Sequence, residues 1–130
     1  MMAICDGVRQ SRHEPDVFDL KGLRHGITAG AFPFTPDRLW LWVSFSSARA
    51  GEFPAYVRVI QDRTDRTIFY MHLRPRPSFE NDGDFLIWWG PIRCRFPEAG
   101  QYTVQVWFFR EQGNDVLKGE MPFYVPNEGS

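Results

Sequence analysis

Residues 96–109 read Phe96-Pro97-Glu98-Ala99-Gly100-Gln101-Tyr102-Thr103-Val104-Gln105-Val106-Trp107-Phe108-Phe109 and contain the clearest structural signal in the chain. Pro97 and Gly100 indicate a tight corner, because both residues interrupt regular structure. After the corner, apolar side chains recur at every second position, which is the period of a half-buried β-strand. The stretch therefore predicts a corner that leads directly into a strand with one face in the core.

The corner resembles the tyrosine corner of immunoglobulin-like sandwiches, in which a Tyr follows the bend into the sixth strand. The matching run is Glu98 to Val104, with Glu98 in place of an Asp and Val104 in place of the usual Cys. The resemblance implies a Greek-key sandwich without the disulfide of antibody domains, and a hydroxyl of Tyr102 bonded to nearby backbone. A plain turn into a strand of any β-sandwich is the alternative. The whole chain also resembles small uncharacterised bacterial proteins of one β-sandwich domain, a family that implies no activity.

Strand patterns separated by turn residues continue along the whole chain, and no segment shows a sustained helical period. We therefore predict an all-β protein, a two-sheet antiparallel β-sandwich with an immunoglobulin-like Greek key and about eight strands. Residues 1–126 form a single domain in this prediction, and residues 127–130 form a C-terminal tail. The predicted strands are 2–8, 17–27, 39–46, 55–61, 67–73, 84–90, 102–110 and 116–125.

The shared phase of three of these strands predicts the hydrophobic core. Its predicted members are Leu39, Leu41, Val43, Val104, Val106, Phe108, Met121, Phe123 and Val125.

Composition excludes several classes of function. The net charge of −1 over 130 residues gives no field that would select nucleic acid or an anionic membrane, so we expect neither as a partner. Apolar runs are too short to span a bilayer, and the N-terminus lacks the pattern of a signal peptide. Cys5 and Cys94 are expected to be buried free thiols in a reducing, cytoplasmic environment. A bridge between them is the alternative.

Motifs for catalysis or metal binding are weak. His13, His25 and His72 lie far apart in sequence, and no nucleophile elbow or phosphate-binding loop occurs. Residues 80–84, Glu-Asn-Asp-Gly-Asp, are either an ordinary turn or a set of calcium ligands, and the sequence leaves that choice open. We predict no enzyme activity, no cofactor and no metal. A hydrolase with a dispersed site is the remaining catalytic hypothesis.

Aromatic residues, at 16% of the chain, carry the only functional signal. Neighbouring strand residues point to opposite faces, so Trp88 and Trp89 cannot both enter one core. In an immunoglobulin-like order, strands 39–46 and 102–110 would be antiparallel neighbours. Their outer faces would then join into a predicted binding surface formed by Trp40, Trp42, Trp107 and Phe109.

Monomers seldom expose such patches, so we expect this surface to be covered, by a symmetry mate in a homodimer. An inverted phase of strand 39–46, or a loop folded over the sheet, would remove the patch. The resulting hypothesis is a non-catalytic module that binds itself or another protein. The alternative is a carbohydrate-binding module in which aromatic platforms stack on sugar rings.

Overall fold

The computed structural model describes residues 1–128, and all of its regular secondary structure is β. The strands are β1 (Met2–Cys5), β2 (Gly7–Gln10), β3 (Phe18–Lys21), β4 (Trp40–Ser46), β5 (Gly51–Glu52), β6 (Ala55–Gln61), β7 (Arg66–His72), β8 (Ser78–Phe79), β9 (Phe85–Pro91), β10 (Gly100–Phe108) and β11 (Val116–Val125). The all-β class is confirmed. The strand count exceeds the expected eight because the first predicted strand divides at Asp6 and because β5 and β8 form a short additional pair.

Two antiparallel sheets form the sandwich. One has the order β1-β4-β9 and the other the order β11-β10-β6-β7, while β2 and β3 form a separate hairpin. This arrangement matches the immunoglobulin order, in which the first, second and fifth strands share one sheet and the third, sixth and seventh share the other. β7 extends the second sheet beyond the third strand.

The predicted pairing of Leu39–Ser46 with Tyr102–Arg110 is wrong. β4 pairs with β1 and β9, whereas β10 pairs with β6 and β11 in the opposite sheet. The reason is the β2–β3 hairpin, which occupies the sequence position of a second sandwich strand but lies outside both main sheets. β4 is therefore the second strand of the sandwich, and β6 takes the third place beside β10.

The hydrophobic core lies between the inner faces of the two sheets. Eight of the nine predicted core residues are buried, and the ninth, Met121, is partly buried and packs against the others. Alternation fixes this outcome, because in β4 and β10 every second side chain faces the opposite sheet. The phase predicted for strand 39–46 is confirmed: Leu41 and Val43 are fully buried, while Trp40 and Trp42 lie on the outer face.

The tyrosine corner has the geometry that the resemblance implied. Tyr102 is fully buried, its hydroxyl donates a hydrogen bond to the carbonyl oxygen of Glu98 at 2.5 Å, and the Glu98 amide donates to that hydroxyl at 3.4 Å. The ring also meets Phe96 edge to face at 4.9 Å between centroids. Burial raises the pKa of Tyr102 above its ordinary value. The hydroxyl thus satisfies backbone groups at the bend that feeds β10.

Residues 21–29, which we call the edge-covering segment, run along the free edges of β1 and β11. The amide of Arg24 donates to Ile4 in β1 at 2.8 Å, and the amide of Ile27 donates to Tyr124 in β11 at 3.0 Å. At Gly26 a Cβ atom would lie only 2.0 Å from the carbonyl oxygen of Tyr124, so this close approach requires glycine. On this side of the sandwich both edge strands are therefore paired.

Two further contacts stabilise the same side of the sandwich. The Arg24 guanidinium forms an ion pair with Asp6, which lowers the pKa of that carboxyl. Beyond β11, the amide of Glu128 donates to the carbonyl of Ala29 at 2.7 Å. The tail predicted at 127–130 thus begins with ordered contacts, and Gly129 and Ser130 lie outside the described residues.

Both cysteine side chains are buried and free, so the predicted burial of the thiols is confirmed. Burial raises the pKa of the Cys94 thiol to about 12. Burial also raises the pKa of Cys5. Its thiol donates a hydrogen bond to the carbonyl oxygen of Gly7 at 3.4 Å.

Tyr102→Phe should destabilise the protein by about 0.5–1.5 kcal/mol, because it removes a buried hydrogen bond and leaves backbone groups at the corner unpaired. Urea denaturation measures this difference. Tyr124→Phe is the matched control, since Tyr124 is 48% exposed on β11 and should unfold like the parent. Equal stability of the parent and the Tyr102 variant would contradict the role assigned to the corner.

Cys5 and Cys94 should resist a disulfide-exchange reagent in the native protein. Thiolate is the reacting species, and burial raises the pKa of both thiols. At about pH 8, near the ordinary thiol pKa of about 8.5, we expect slow reaction in buffer and rapid reaction of both thiols in concentrated guanidinium chloride. Rapid labelling of the folded protein would show that one thiol is accessible.

Candidate functional site

The structure separates the four residues of the predicted binding surface. Trp40 and Trp42 share the outer face of β4, Trp107 lies on the outer face of the other sheet, and Phe109 follows the end of β10. One contiguous patch of these four side chains does not form, because β4 and β10 belong to different sheets. Each residue has its own surroundings.

Trp42 is covered by the β2–β3 hairpin. Phe18 of that hairpin packs edge to face on Trp42 at 6.0 Å and on Trp89 at 5.0 Å between ring centroids. Trp42 and Trp89 are direct partners across β4 and β9. The loop folded over the sheet, one of the alternatives considered from sequence, is thus what the structure has at Trp42. The indole N–H of Trp42 is buried with no hydrogen-bond partner among the described residues.

The two adjacent tryptophans of β9 point to opposite faces, as predicted. Trp88 is buried in the core and its indole N–H donates to the carbonyl of Arg74 at 3.2 Å. Trp89 is half-buried on the outer face, beneath Phe18.

Trp107 is held by a polar network. Its indole N–H donates to the side-chain oxygen of Gln105 at 2.9 Å, and Nε of Arg58 donates to the same oxygen at 2.9 Å. The Arg58 guanidinium lies 5.2 Å from the centre of the Trp107 ring, a favourable cation–π distance. Gln105 also donates to Glu120 at 2.8 Å. One face of the indole is therefore occupied by Arg58.

Three further aromatic rings continue this outer face across β6 and β7. Tyr56 is the direct partner of Trp107 in the sheet and of His72 on its other side. Ring centroids lie 4.9 Å apart between Tyr56 and Tyr70, and 5.2 Å apart between Tyr70 and His72. Tyr70 is 52% exposed. Sequence reasoning missed these residues. Alternation within the predicted strand 67–73 does place Tyr70 and His72 on one face, and Tyr56 lies in the predicted strand 55–61.

An aromatic cleft of about 470 Å³ opens between β7 and β9, the edge strands on the side opposite the edge-covering segment. It is lined chiefly by Trp40, Met71, His72, Arg74, Trp89 and Pro91. His72 belongs both to this cleft and to the ring series of β7, so the cleft and the outer face of β6 and β7 are continuous. The structure thereby places Trp40 with Trp89 in the cleft, whereas Trp42 lies beneath Phe18 and Trp107 lies on the other sheet.

The charge of the aromatic cleft is one-sided. His72 and Arg74 are the titratable side chains in its wall, and neither forms an ion pair within residues 1–128. The remaining wall is aromatic or aliphatic. Such a surface suits a ligand that combines an apolar group with a negative charge.

Phe109 lies in a different cleft, of about 460 Å³, with Arg49, Arg110 and Lys118. The ammonium group of Lys118 donates to the carbonyl of Ser46 at 2.7 Å and lies 4.9 Å from the centre of the Phe108 ring. Phe109 is 45% exposed there.

The acidic run at residues 80–84 is used by the chain itself. Asp84 accepts a hydrogen bond from the amide of Asn81 at 3.0 Å, and Asp82 accepts one from the amide of Ala50 at 2.7 Å. Within residues 1–128, no group of three or more His, Cys, Asp or Glu side chains is arranged to hold a metal ion. In the same residues, no helix is long and apolar enough to cross a membrane.

Tyr56 should ionise far above an ordinary tyrosine. Burial, together with the hydrogen bond that its hydroxyl donates to Asp115 at 2.5 Å, raises its pKa to about 12. Because the folded pKa exceeds the unfolded value of about 10, this contribution to stability is complete below about pH 10 and is lost as the pH rises towards 12. An NMR titration of the tyrosine ring carbons measures the pKa of Tyr56, and Asp115→Asn should lower that pKa. A pKa of Tyr56 near 10 in the parent would contradict the buried hydrogen bond.

Comparisons with known proteins give little to set beside this geometry. No protein-family model matches the chain, and no curated protein matches it. Among solved structures, the soluble domain of PmoD from a Methylocystis species aligns with 95% of this chain and 88% of its own length, at 13% identity and a TM-score of 0.38. At that TM-score the similarity supports no conclusion about the function of this chain.

Proposed function

We propose that this protein is a non-catalytic interaction module that binds a protein, either a second copy of itself or a different chain, through the aromatic cleft. One observation carries the proposal. The side of the sandwich closed by residues 21–29 has both edges paired, whereas β7 and β9 on the other side flank an aromatic cleft.

The composition of the cleft fits a protein partner. Aromatic residues, Met and Arg are enriched in protein interfaces, and Trp, Tyr and Arg dominate their binding energy. Trp40, Trp89, Met71 and Arg74 supply these types at one place, with Tyr70 beside them. The half-buried state of Trp40 and Trp89 leaves part of each ring available.

A carbohydrate-binding module remains the second candidate. It is favoured by two indoles, Trp40 and Trp89, in one open groove with His72 and Arg74 nearby, since flat rings beside polar groups suit sugars. The Trp107 platform suits sugar less well, because Arg58 covers one of its faces. We give preference to a protein partner because Met71 and Arg74 in the wall of the cleft are residue types enriched in protein interfaces.

The proposal includes a cytoplasmic location with neither nucleic acid nor a membrane as a partner. Two buried free thiols fit a reducing compartment. A net charge of −1 provides no general attraction to phosphate-rich polymers or anionic lipids.

His72→Glu should weaken binding about tenfold or more, equivalent to ~1.4 kcal/mol, because it sets a negative charge beside Arg74 and cancels the positive charge of the cleft without touching the core. Sedimentation velocity over a range of concentrations measures self-association. For a different chain, affinity capture from the native lysate identifies the partner, and titration of the purified partner measures its affinity. Phe85→Glu is the control, since Phe85 is 59% exposed on β9 and lies outside the cleft.

Two results would contradict the proposal that a protein binds through the aromatic cleft. One is binding by both variants with the affinity of the parent. The other is binding to a glycan array that His72→Glu abolishes, with no self-association and no protein captured, which would favour the carbohydrate candidate.

A further inference from the structure

The four edge strands of the sandwich differ in whether their outer edges are hydrogen-bonded. The edges of β1 and β11 receive hydrogen bonds from the edge-covering segment. Within residues 1–128, no strand pairs with the outer edges of β7 and β9. An exposed edge presents unpaired N–H and C=O groups that can pair with another chain, so the side with the cleft is also the side with free backbone.

The free backbone groups of β7 can be assigned to residues. In an antiparallel pair, alternate residues exchange hydrogen bonds with the partner strand, and the residues between them direct their N–H and C=O outward. The amide of Leu73 donates to Ala55 in β6 at 2.9 Å. Because the register is regular from there to Phe69, the outward groups belong to Tyr70 and His72.

The outer edge of β9 is less suited to pairing. The amide of Ile92 donates to Leu39 beside β4 at 2.8 Å, and the register is regular from there through β9. By the same alternation, Pro91 and Trp89 have the outward positions. Proline has no N–H to donate, which is a common protection of an edge. At the cleft, β7 therefore has complete free donor and acceptor groups and β9 does not.

Charge indicates the occupant. A strand added to β7 at Tyr70 and His72 would pass the mouth of the aromatic cleft, where Arg74 is the charged side chain and no carboxylate from residues 1–128 lines the wall. Two copies of β7 paired antiparallel about Tyr70 would place the Arg66 end of each next to the Arg74 end of the other. Like charges opposite each other are destabilising. An acidic segment of another protein is the better complement.

We propose that β7 binds an extended segment of a partner protein by β-strand addition. The segment pairs with the backbone of Tyr70 and His72, places an apolar side chain in the aromatic cleft, and sets an acidic side chain against Arg74. This inference rests on the proposed function and specifies both the mode of binding and the chemistry of the partner. Backbone pairing supplies affinity in this mode, and side-chain pockets supply specificity.

A phage-displayed library of random linear peptides, selected on the immobilised protein, tests the partner chemistry. We expect enriched peptides with apolar residues at alternating positions and an acidic residue within the same run. A synthetic copy of the most enriched peptide then serves as the probe. Failure to enrich any peptide, or enrichment of basic peptides, would overturn the proposal.

Tyr70→Pro against Tyr70→Val tests the backbone pairing. Both variants lose the ring, but only proline loses the outward N–H, and the bonds between β6 and β7 are retained because residue 70 does not donate to β6. The proline variant should bind the probe at least tenfold more weakly than the valine variant. Equal affinities would overturn strand addition while leaving the proposed function in place, since His72→Glu tests the side chains of the cleft.

Amide hydrogen exchange in the unsubstituted protein gives an independent measurement. The amides of Tyr70 and His72 should exchange quickly when the protein is free and slowly when the probe is bound, while that of Met71 is protected throughout. Unchanged exchange at Tyr70 and His72 with the probe bound would overturn the proposal. Self-association that Tyr70→Pro removes and Tyr70→Val retains would also overturn it, in favour of a second copy.

Discussion

Burial of the inner face of β10 is the constraint on which the rest of this structure depends. Tyr102, Val104, Val106 and Phe108 are all buried, and β10 pairs on both sides, with β6 and with β11. A central strand of this kind fixes the register of its neighbours, since a shift by one residue would turn the whole apolar set to solvent. The hydrogen bond from Tyr102 to Glu98 holds the bend at the start of that strand.

A sandwich built in this way has four edges, and residues 1–128 pair only two of them. The edge-covering segment reaches both β1 and β11, and the Asp6–Arg24 ion pair holds it near β1. Opposite this side, β7 and β9 have no strand at their outer edges in the described part of the chain, and the wall between them is rich in tryptophan. Exposed edges are usually protected in natural proteins. An edge left open beside an aromatic cleft is therefore better explained by binding than by architecture, which is the basis of the proposed function.

The tryptophans have several different structural roles, and the surroundings of each side chain show which role it has. Trp88 fills the core, and Trp42 supports the β2–β3 hairpin through Phe18. Trp107 is locked by Gln105 and Arg58 on the sheet surface. Trp40 and Trp89 line the aromatic cleft. A high aromatic content is thus not one signal but several, and Trp40 and Trp89 are the half-buried pair whose rings line an open cleft.

The sequence by itself determined the all-β class, the buried sides of β4 and β10 and the corner at Tyr102. These features are local: a period of two fixes which side chains share a face, and Pro97 and Gly100 mark the bend. The sequence did not determine which strands are neighbours. Pairing depends on contacts between distant segments, and the β2–β3 hairpin resembles a sandwich strand in its pattern while lying outside both sheets. For that reason Trp40 lines a cleft with Trp89 and His72 and does not lie beside Trp107. Only the tertiary structure could place that cleft.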